Sequence, residues 1–125
     1  MLNTYEVMAT IAVSDLARAR SFYEGLLGLQ PAVPAEPGMV ALASGGRTLL
    51  LYESQFAGTN QANAATWNVT GDLQSLVGAL KAKGVPFERY DTPGMQRQGD
   101  IHHGGGRQVA WCRDPDGNLL TLARG

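Results

Sequence analysis

Val13-Ser14-Asp15-Leu16-Ala17-Arg18-Ala19-Arg20-Ser21-Phe22-Tyr23-Glu24-Gly25-Leu26-Leu27-Gly28-Leu29 holds a strand end, a capped helix and a helix stop in one run. Asp15 stands where an N-cap side chain accepts the unpaired N–H groups of a first helical turn. From there Leu16, Ala19, Phe22, Tyr23, Leu26 and Leu27 recur at helical spacing, with Arg18, Arg20 and Glu24 on the other side. Gly28 ends the helix, because a residue without Cβ enters the left-handed C′ conformation at no steric cost. Working outward, Tyr5 to Val13 alternates as a strand whose more apolar face is Val7, Ala9, Ile11 and Val13. Downstream, Leu29 to Val33, Met39 to Ser44 and Arg47 to Ser54 read as strands, the last two joined by a Gly45-Gly46 turn.

The same order then returns. Ala64 to Val69 is a strand, Asp72 caps a helix with the stripe Leu73, Leu76, Val77 and Leu80, and Gly84 stops it. Val85 to Tyr90, Arg107 to Arg113 and Asn118 to Arg124 are strands, the last pair joined across Asp114-Pro115-Asp116-Gly117. Val13-Ser14-Asp15-Leu16 is echoed by Val69-Thr70-Gly71-Asp72-Leu73, and Gly28-Leu29 by Gly84-Val85. A repeat of this length predicts an α+β chain, one domain over 1–125, made of two βαβββ modules at 5–54 and 64–124 with a connector at 55–63. The glycine-rich stretch Asp91 to Gly106 reads as a long loop, the kind that serves as a lid or binding loop.

Composition narrows the partners. A chain of 125 residues with 44% hydrophobic and 17% charged residues has enough apolar surface for a core without disulfides. The net charge of -1 and the absence of any Lys/Arg cluster argue against nucleic acid and anionic membranes. Cys112 stands alone, so no internal disulfide is available, which suits a reducing cytoplasm. The first residues lack a basic region followed by an apolar one, and no apolar run is long enough to span a bilayer. A cytoplasmic protein is the expectation.

Few residues advertise chemistry. His102 and His103 are adjacent, which rarely lets both reach one metal from extended backbone. They read either as two solvated loop histidines or as one acid–base group turned into a pocket. Cys112 reads as a small buried hydrophobe before it reads as a nucleophile, since nothing beside it suggests activation. Gly104-Gly105-Gly106 lacks the lysine and following helix of a phosphate loop.

The run from Val13 to Leu29, together with Asp114-Pro115-Asp116-Gly117-Asn118, resembles the two signature segments of the glyoxalase/bleomycin-resistance/extradiol-dioxygenase (vicinal oxygen chelate) superfamily. The resemblance runs from Tyr5 to Leu122 and implies a cupped, partly open β-sheet barrel with its helices outside. It also implies four inward metal-ligand positions, which fall here on Met8, Leu50, Ala64 and Thr121. A thioether, two hydrocarbon side chains and one hydroxyl do not make a divalent-metal site, so neither metal nor other cofactor is expected. Glu53, the nearest carboxylate, lies at an odd offset from Leu50 and hence on the other face of a regular strand.

If those four positions face the cup, parity adds Thr10, Thr48, Tyr52, Thr66 and Asn68 to the same side. With Met8, Leu50 and Thr121 they form an organic-ligand surface, apolar with a few hydrogen-bonding groups, unless the cup closes on itself and they merely pack. Trp67 falls on the helix side, and Trp111 is placed at the pocket or its rim. The resulting expectation is a metal-free protein binding an aromatic or planar small molecule, as a homodimer of the kind common in that family. The alternatives are an enzyme of the same superfamily, with an atypical metal site or with His102, His103 or Tyr52 as acid–base groups, and a purely structural domain.

Overall fold

Asp15 and Asp72 do what their positions predict. The Asp15 carboxylate accepts the N–H of Arg18 at 3.2 Å, and that of Asp72 accepts Gln74 and Ser75 at 3.0 and 3.3 Å. Each helix ends at a glycine with positive φ, Gly28 at 82° and Gly84 at 96°, where a side chain would be strained. These are features of a computed structural model that describes residues 1–125. The backbone divides into two units, Met1–Gly58 and Thr59–Gly125.

The first unit follows the βαβββ plan: β1 (Ala9–Val13), α1 (Leu16–Arg20), β2 (Gln30–Pro31), β3 (Met39–Ser44) and β4 (Arg47–Glu53). Its sheet order is β1-β4-β3-β2, with β1 parallel to β4 and the remaining pairs antiparallel. Ile11, Val13, Val40, Leu42, Leu49 and Leu51 occupy one face and are buried with Ala19, Phe22 and Tyr23 of the helical segment. Full burial of side chains this size contributes roughly 1.5–3 kcal/mol each, so this face holds the unit's core. The helix departs from the regular pattern. After Arg20 it continues as a π-helix, Ser21–Leu26, in which Leu27 N–H bonds to Phe22 C=O. Phe22 and Tyr23, adjacent in sequence, are both buried there.

The second unit repeats the plan with β5 (Asn63–Asn68), α2 (Leu73–Ala82), β6 (Phe87–Glu88), β9 (Arg107–Arg113) and β10 (Leu119–Arg124). Between β6 and β9 it adds a hairpin, β7 (Gln96–Gln98) and β8 (Ile101–Gly104). The order is β5-β10-β9-β8-β7, with β6 also paired to β9. Leu73, Val77 and Leu80 of α2 are buried, as are Ala110, Cys112, Leu120 and Leu122, which share one sheet face. The Asp114–Asn118 segment is the turn its composition implies. The Asp114 carboxylate accepts the N–H groups of Asp116 and Asn118 at 3.0 and 2.8 Å and the Asn118 amide at 2.8 Å.

The α+β class and the helix-bearing mixed sheets agree with the sequence, and three details are corrected. The stretch Asp91 to Gly106 is not one long loop, because β7 and β8 pair with each other and β8 continues along the edge of β9. Of Tyr5 to Val13 only Ala9–Val13 is paired strand, because only those residues find partners on β4. Strand Val85 to Tyr90 shrinks to Phe87–Glu88, because β8 takes over the edge of β9 beyond that point. No helix is long and apolar enough to cross a membrane.

Candidate functional site

Strand register assigns the faces. In the first unit Thr10 stands opposite Leu50, which stands opposite Ala41, and Ala12, Tyr52 and Met39 form the next row. Thr10, Thr48, Leu50 and Tyr52 therefore share the face turned away from the buried aliphatic one. Met8 lies just outside β1, half-exposed, at the parity of Thr10. Glu53 pairs with Val13, on the opposite parity to Leu50.

The second unit gives a richer face. Thr66, Thr121, Trp111 and Glu88 form one lateral row across β5, β10, β9 and β6. Asn68, Ala123, Val109, His102 and Arg97 form the adjacent row. Both rows lie on the side away from Cys112, Leu120 and α2. Trp67 pairs with Leu122 and so takes the helix side.

Trp111 anchors this face. Its ring meets His102 edge-on at a centroid distance of 4.6 Å and Tyr90 at 5.2 Å, and Tyr90 lies 6.2 Å from His102. Arg113, two residues along β9, pairs with Glu88 and donates to the Gly117 carbonyl at 2.8 Å. The Glu88 carboxylate, with Tyr90 beside it, holds that guanidinium firmly charged. Thr121 is buried, and its hydroxyl is a buried side-chain oxygen without a hydrogen-bond partner. An unpaired hydroxyl in such a place costs about 1–3 kcal/mol, so it stands out chemically.

The two histidines part company. His102 is fully buried, and both ring nitrogens are engaged: Nε2 accepts the Tyr90 N–H at 2.9 Å, and Nδ1 lies 3.2 Å from the Val109 carbonyl. With both nitrogens committed to backbone it is neither a solvated loop residue nor a free acid–base group. His103 pairs with Gln108 and therefore faces the other side. There it is half-exposed and lines a cleft of about 350 Å³ beside Asp72, Gln98 and Arg124. It does not join Trp111 and Thr121.

Cys112 is buried, and burial, with a smaller push from the Asp114 charge, raises its thiol to about 12. At neutral pH it is an inert thiol.

The metal that the fold class implies can be tested against these registers. Leu50 opposite Thr10 and Thr121 opposite Thr66 are corresponding positions of the two sheets, and Met8 and Ala64 each lie two residues before those threonines. Side chains at these four places offer a thioether, two hydrocarbons and one hydroxyl. No group of three or more His, Cys, Asp or Glu side chains able to hold a metal occurs elsewhere. The donor set does not fit a divalent cation of the usual kind.

Sequence reasoning reached Trp111, Thr121, Thr66 and Asn68 but missed Glu88, Tyr90 and Arg113. Arg113 follows from parity with Trp111. Glu88 and Tyr90 required knowing that β6 borders β9.

The profile of the Glyoxalase/Bleomycin resistance protein/Dioxygenase superfamily matches residues 6–122. No curated protein sequence matches. Among solved structures, a bleomycin resistance determinant encoded on transposon Tn5 aligns at TM-score 0.71 and 20% identity, over 97% of this chain and 98% of that one. Lactoylglutathione lyase from Agrobacterium tumefaciens aligns at TM-score 0.71 and 18% identity, over 98% and 94%. A glyoxalase/bleomycin resistance protein from Catenulispora acidiphila aligns at TM-score 0.69 and 23% identity, over 96% and 97%. At such identities the neighbours speak for the fold, while the profile match over nearly the whole sequence decides the family: this chain belongs to the Glyoxalase/Bleomycin resistance protein/Dioxygenase superfamily.

Proposed function

We propose that this protein binds an aromatic or planar organic molecule, without a metal, on the face of the second unit that carries Trp111. The observation that carries the reading is the pairing of an aromatic surface, Tyr90 and Trp111, with the partnerless hydroxyl of Thr121, which stands opposite Trp111 in the same row. Flat apolar area with one well-placed polar group is the usual recipe for an organic-ligand site. Thr66 and Asn68 add hydrogen-bonding capacity to this face, and on the first unit's own sheet Met8, Thr10, Thr48, Leu50 and Tyr52 are taken as ligand-binding residues in their own right. Sequestration of the ligand, without chemistry on it, is the mode this reading favours.

The enzyme reading is weaker on chemical grounds. It would have to run without His102, and the family's metal positions carry no adequate donors. Homodimerisation in a reducing cytoplasm completes the proposal, and light scattering of the purified chain measures the stoichiometry.

Thermal-shift and calorimetric titrations with bleomycin and a panel of planar aromatics test the reading. Saturable stabilisation that Trp111→Ala abolishes supports it. Saturable binding untouched by Trp111→Ala, or no binding across the panel, overturns it.

A further inference from the structure

His102 sits at a join in the second sheet. Glu88 stands opposite Trp111, so an unbroken β6–β9 ladder would bring Tyr90 opposite Val109. Instead Val109 has His102 of β8 as its neighbour, and the His102 imidazole lies between the two backbones that the ladder would have joined. The Tyr90 N–H donates into one side of the ring, and the other side meets the Val109 carbonyl.

The two backbone partners fix the protonation of the ring. A backbone N–H only donates, so Nε2 carries no proton. A carbonyl only accepts, so Nδ1 carries one. The side chain is thus the neutral Nδ1–H tautomer, and either the imidazolium or the other tautomer breaks a bond.

We propose that His102 is a positioning residue for the ligand face: a neutral imidazole spacer that replaces a ladder bond and holds Tyr90 against Trp111. This rests on the reading of that face given above. The spacer lets the β7–β8 hairpin enter the sheet edge while Tyr90 stays 5.2 Å from the indole. Protonation would set a new Nε2–H against the Tyr90 N–H while leaving Nδ1–H on the Val109 carbonyl, releasing the Tyr90 backbone and loosening the aromatic surface. The charged and titratable groups around the ring are Arg97, its neighbour on β7; Asp91, 3.7 Å from the Arg97 guanidinium; the Tyr90 phenol; and the Glu88–Arg113 pair beyond Trp111. A pH response of the face is therefore checked against Arg97→Gln as well.

Histidine-selective ¹⁵N NMR of the intact chain at pH 7.5 tests the tautomer directly. A pure Nδ1–H signature for His102 is the expected result, and an Nε2–H or imidazolium signature overturns the proposal. Amide exchange at Tyr90 supplies the second readout. After correction for intrinsic rates, exchange is expected to quicken at least tenfold in His102→Leu. His102→Asn, whose amide offers one donor and one acceptor, is expected to restore part of the protection. It also serves if the leucine variant does not fold.

With bleomycin as the probe, His102→Leu is expected to raise Kd about tenfold and His102→Asn less. Unchanged Tyr90 exchange, or an unchanged Kd in a variant whose Tyr90 is released, overturns the positioning role. If the wild type binds neither bleomycin nor any planar aromatic of the panel, the reading of the face fails, while NMR and exchange still decide the spacer.

Discussion

Lys81 Nζ donates to Asp100 Oδ2 at 2.6 Å, joining the last turn of α2 to the tip of the β7–β8 hairpin, and Arg89 approaches the other carboxylate oxygen at 2.9 Å. Asp100 is buried while both cations stay about half-exposed. Burial pushes its carboxyl up, but the Lys81 and Arg89 bonds together outweigh that and hold it below the ordinary carboxylate range. Because the folded value is depressed, the contribution is complete above the unfolded pKa near about 3.9 and is lost as pH falls through the folded one. Unfolding followed by circular dichroism from pH 6 down to pH 2 is expected to show wild type losing stability in that window, with Asp100→Asn less stable at pH 6 and flatter below pH 4.

Asp114→Ala should be costly for a different reason. The carboxylate closes the β9–β10 turn by accepting three hydrogen bonds, from Asp116, Asn118 and the Asn118 side chain. Losing it leaves buried donors unpaired, at about 1–3 kcal/mol in total if the turn relaxes around them. Urea unfolding should show a lower midpoint with an unchanged slope. Asp114→Asn, which keeps one acceptor, should fall between.

Thr121→Val separates stability from binding. It exchanges a buried, partnerless hydroxyl for a methyl of the same shape. Removing that desolvation cost is expected to stabilise the protein by about 1 kcal/mol. Ligands that use the hydroxyl should bind more weakly in the same variant. A higher Tm with poorer affinity is the expected pair of results, read by calorimetry and titration.

Metal addition should do little. Zinc, nickel, manganese or iron(II) at modest excess is expected to leave Tm unchanged, because Met8, Leu50, Ala64 and Thr121 offer no set of hard or borderline donors. A stoichiometric, tightly held metal after dialysis would refute this. Met8→His with Leu50→Glu gives a contrast, placing two real donors at the family's positions in the first unit.

Much of the fold was legible because it is written in local chemistry. The Asp15 and Asp72 caps, the Gly28 and Gly84 stops and the aliphatic parity of Ile11, Val13, Leu49 and Leu51 each need only a few neighbouring residues. The β7–β8 hairpin was not legible. Gln96, Arg97 and Gln98 carry no apolar alternation and are exposed, so their strand character comes from pairing with His103, His102 and Ile101. The π turn at Ser21–Leu26 was invisible for a related reason, since apolar spacing near 3.6 also tolerates a single widened turn. At the candidate site, the family resemblance pointed to Thr121 and Trp111 was placed only at the pocket or its rim; that the two stand opposite each other comes from the β9–β10 register. What His102 does depends on where β6 stops and β8 begins, a long-range fact that no residue type announces.

The parallel pairing of β1 with β4 and of β5 with β10 sets an order of assembly. Each sheet stays open on one side until its last strand arrives, because the first strand's only partner is the strand made last. During synthesis the first sheet has all its strands once the chain reaches Glu53, whereas β5 waits for Leu119–Arg124. Through that interval Trp67 has no Leu122 beside it. The second unit therefore carries the longer exposure to mispairing and to chaperones on the ribosome, and small losses in β10 should lower the yield of folded protein more than equal losses in β4.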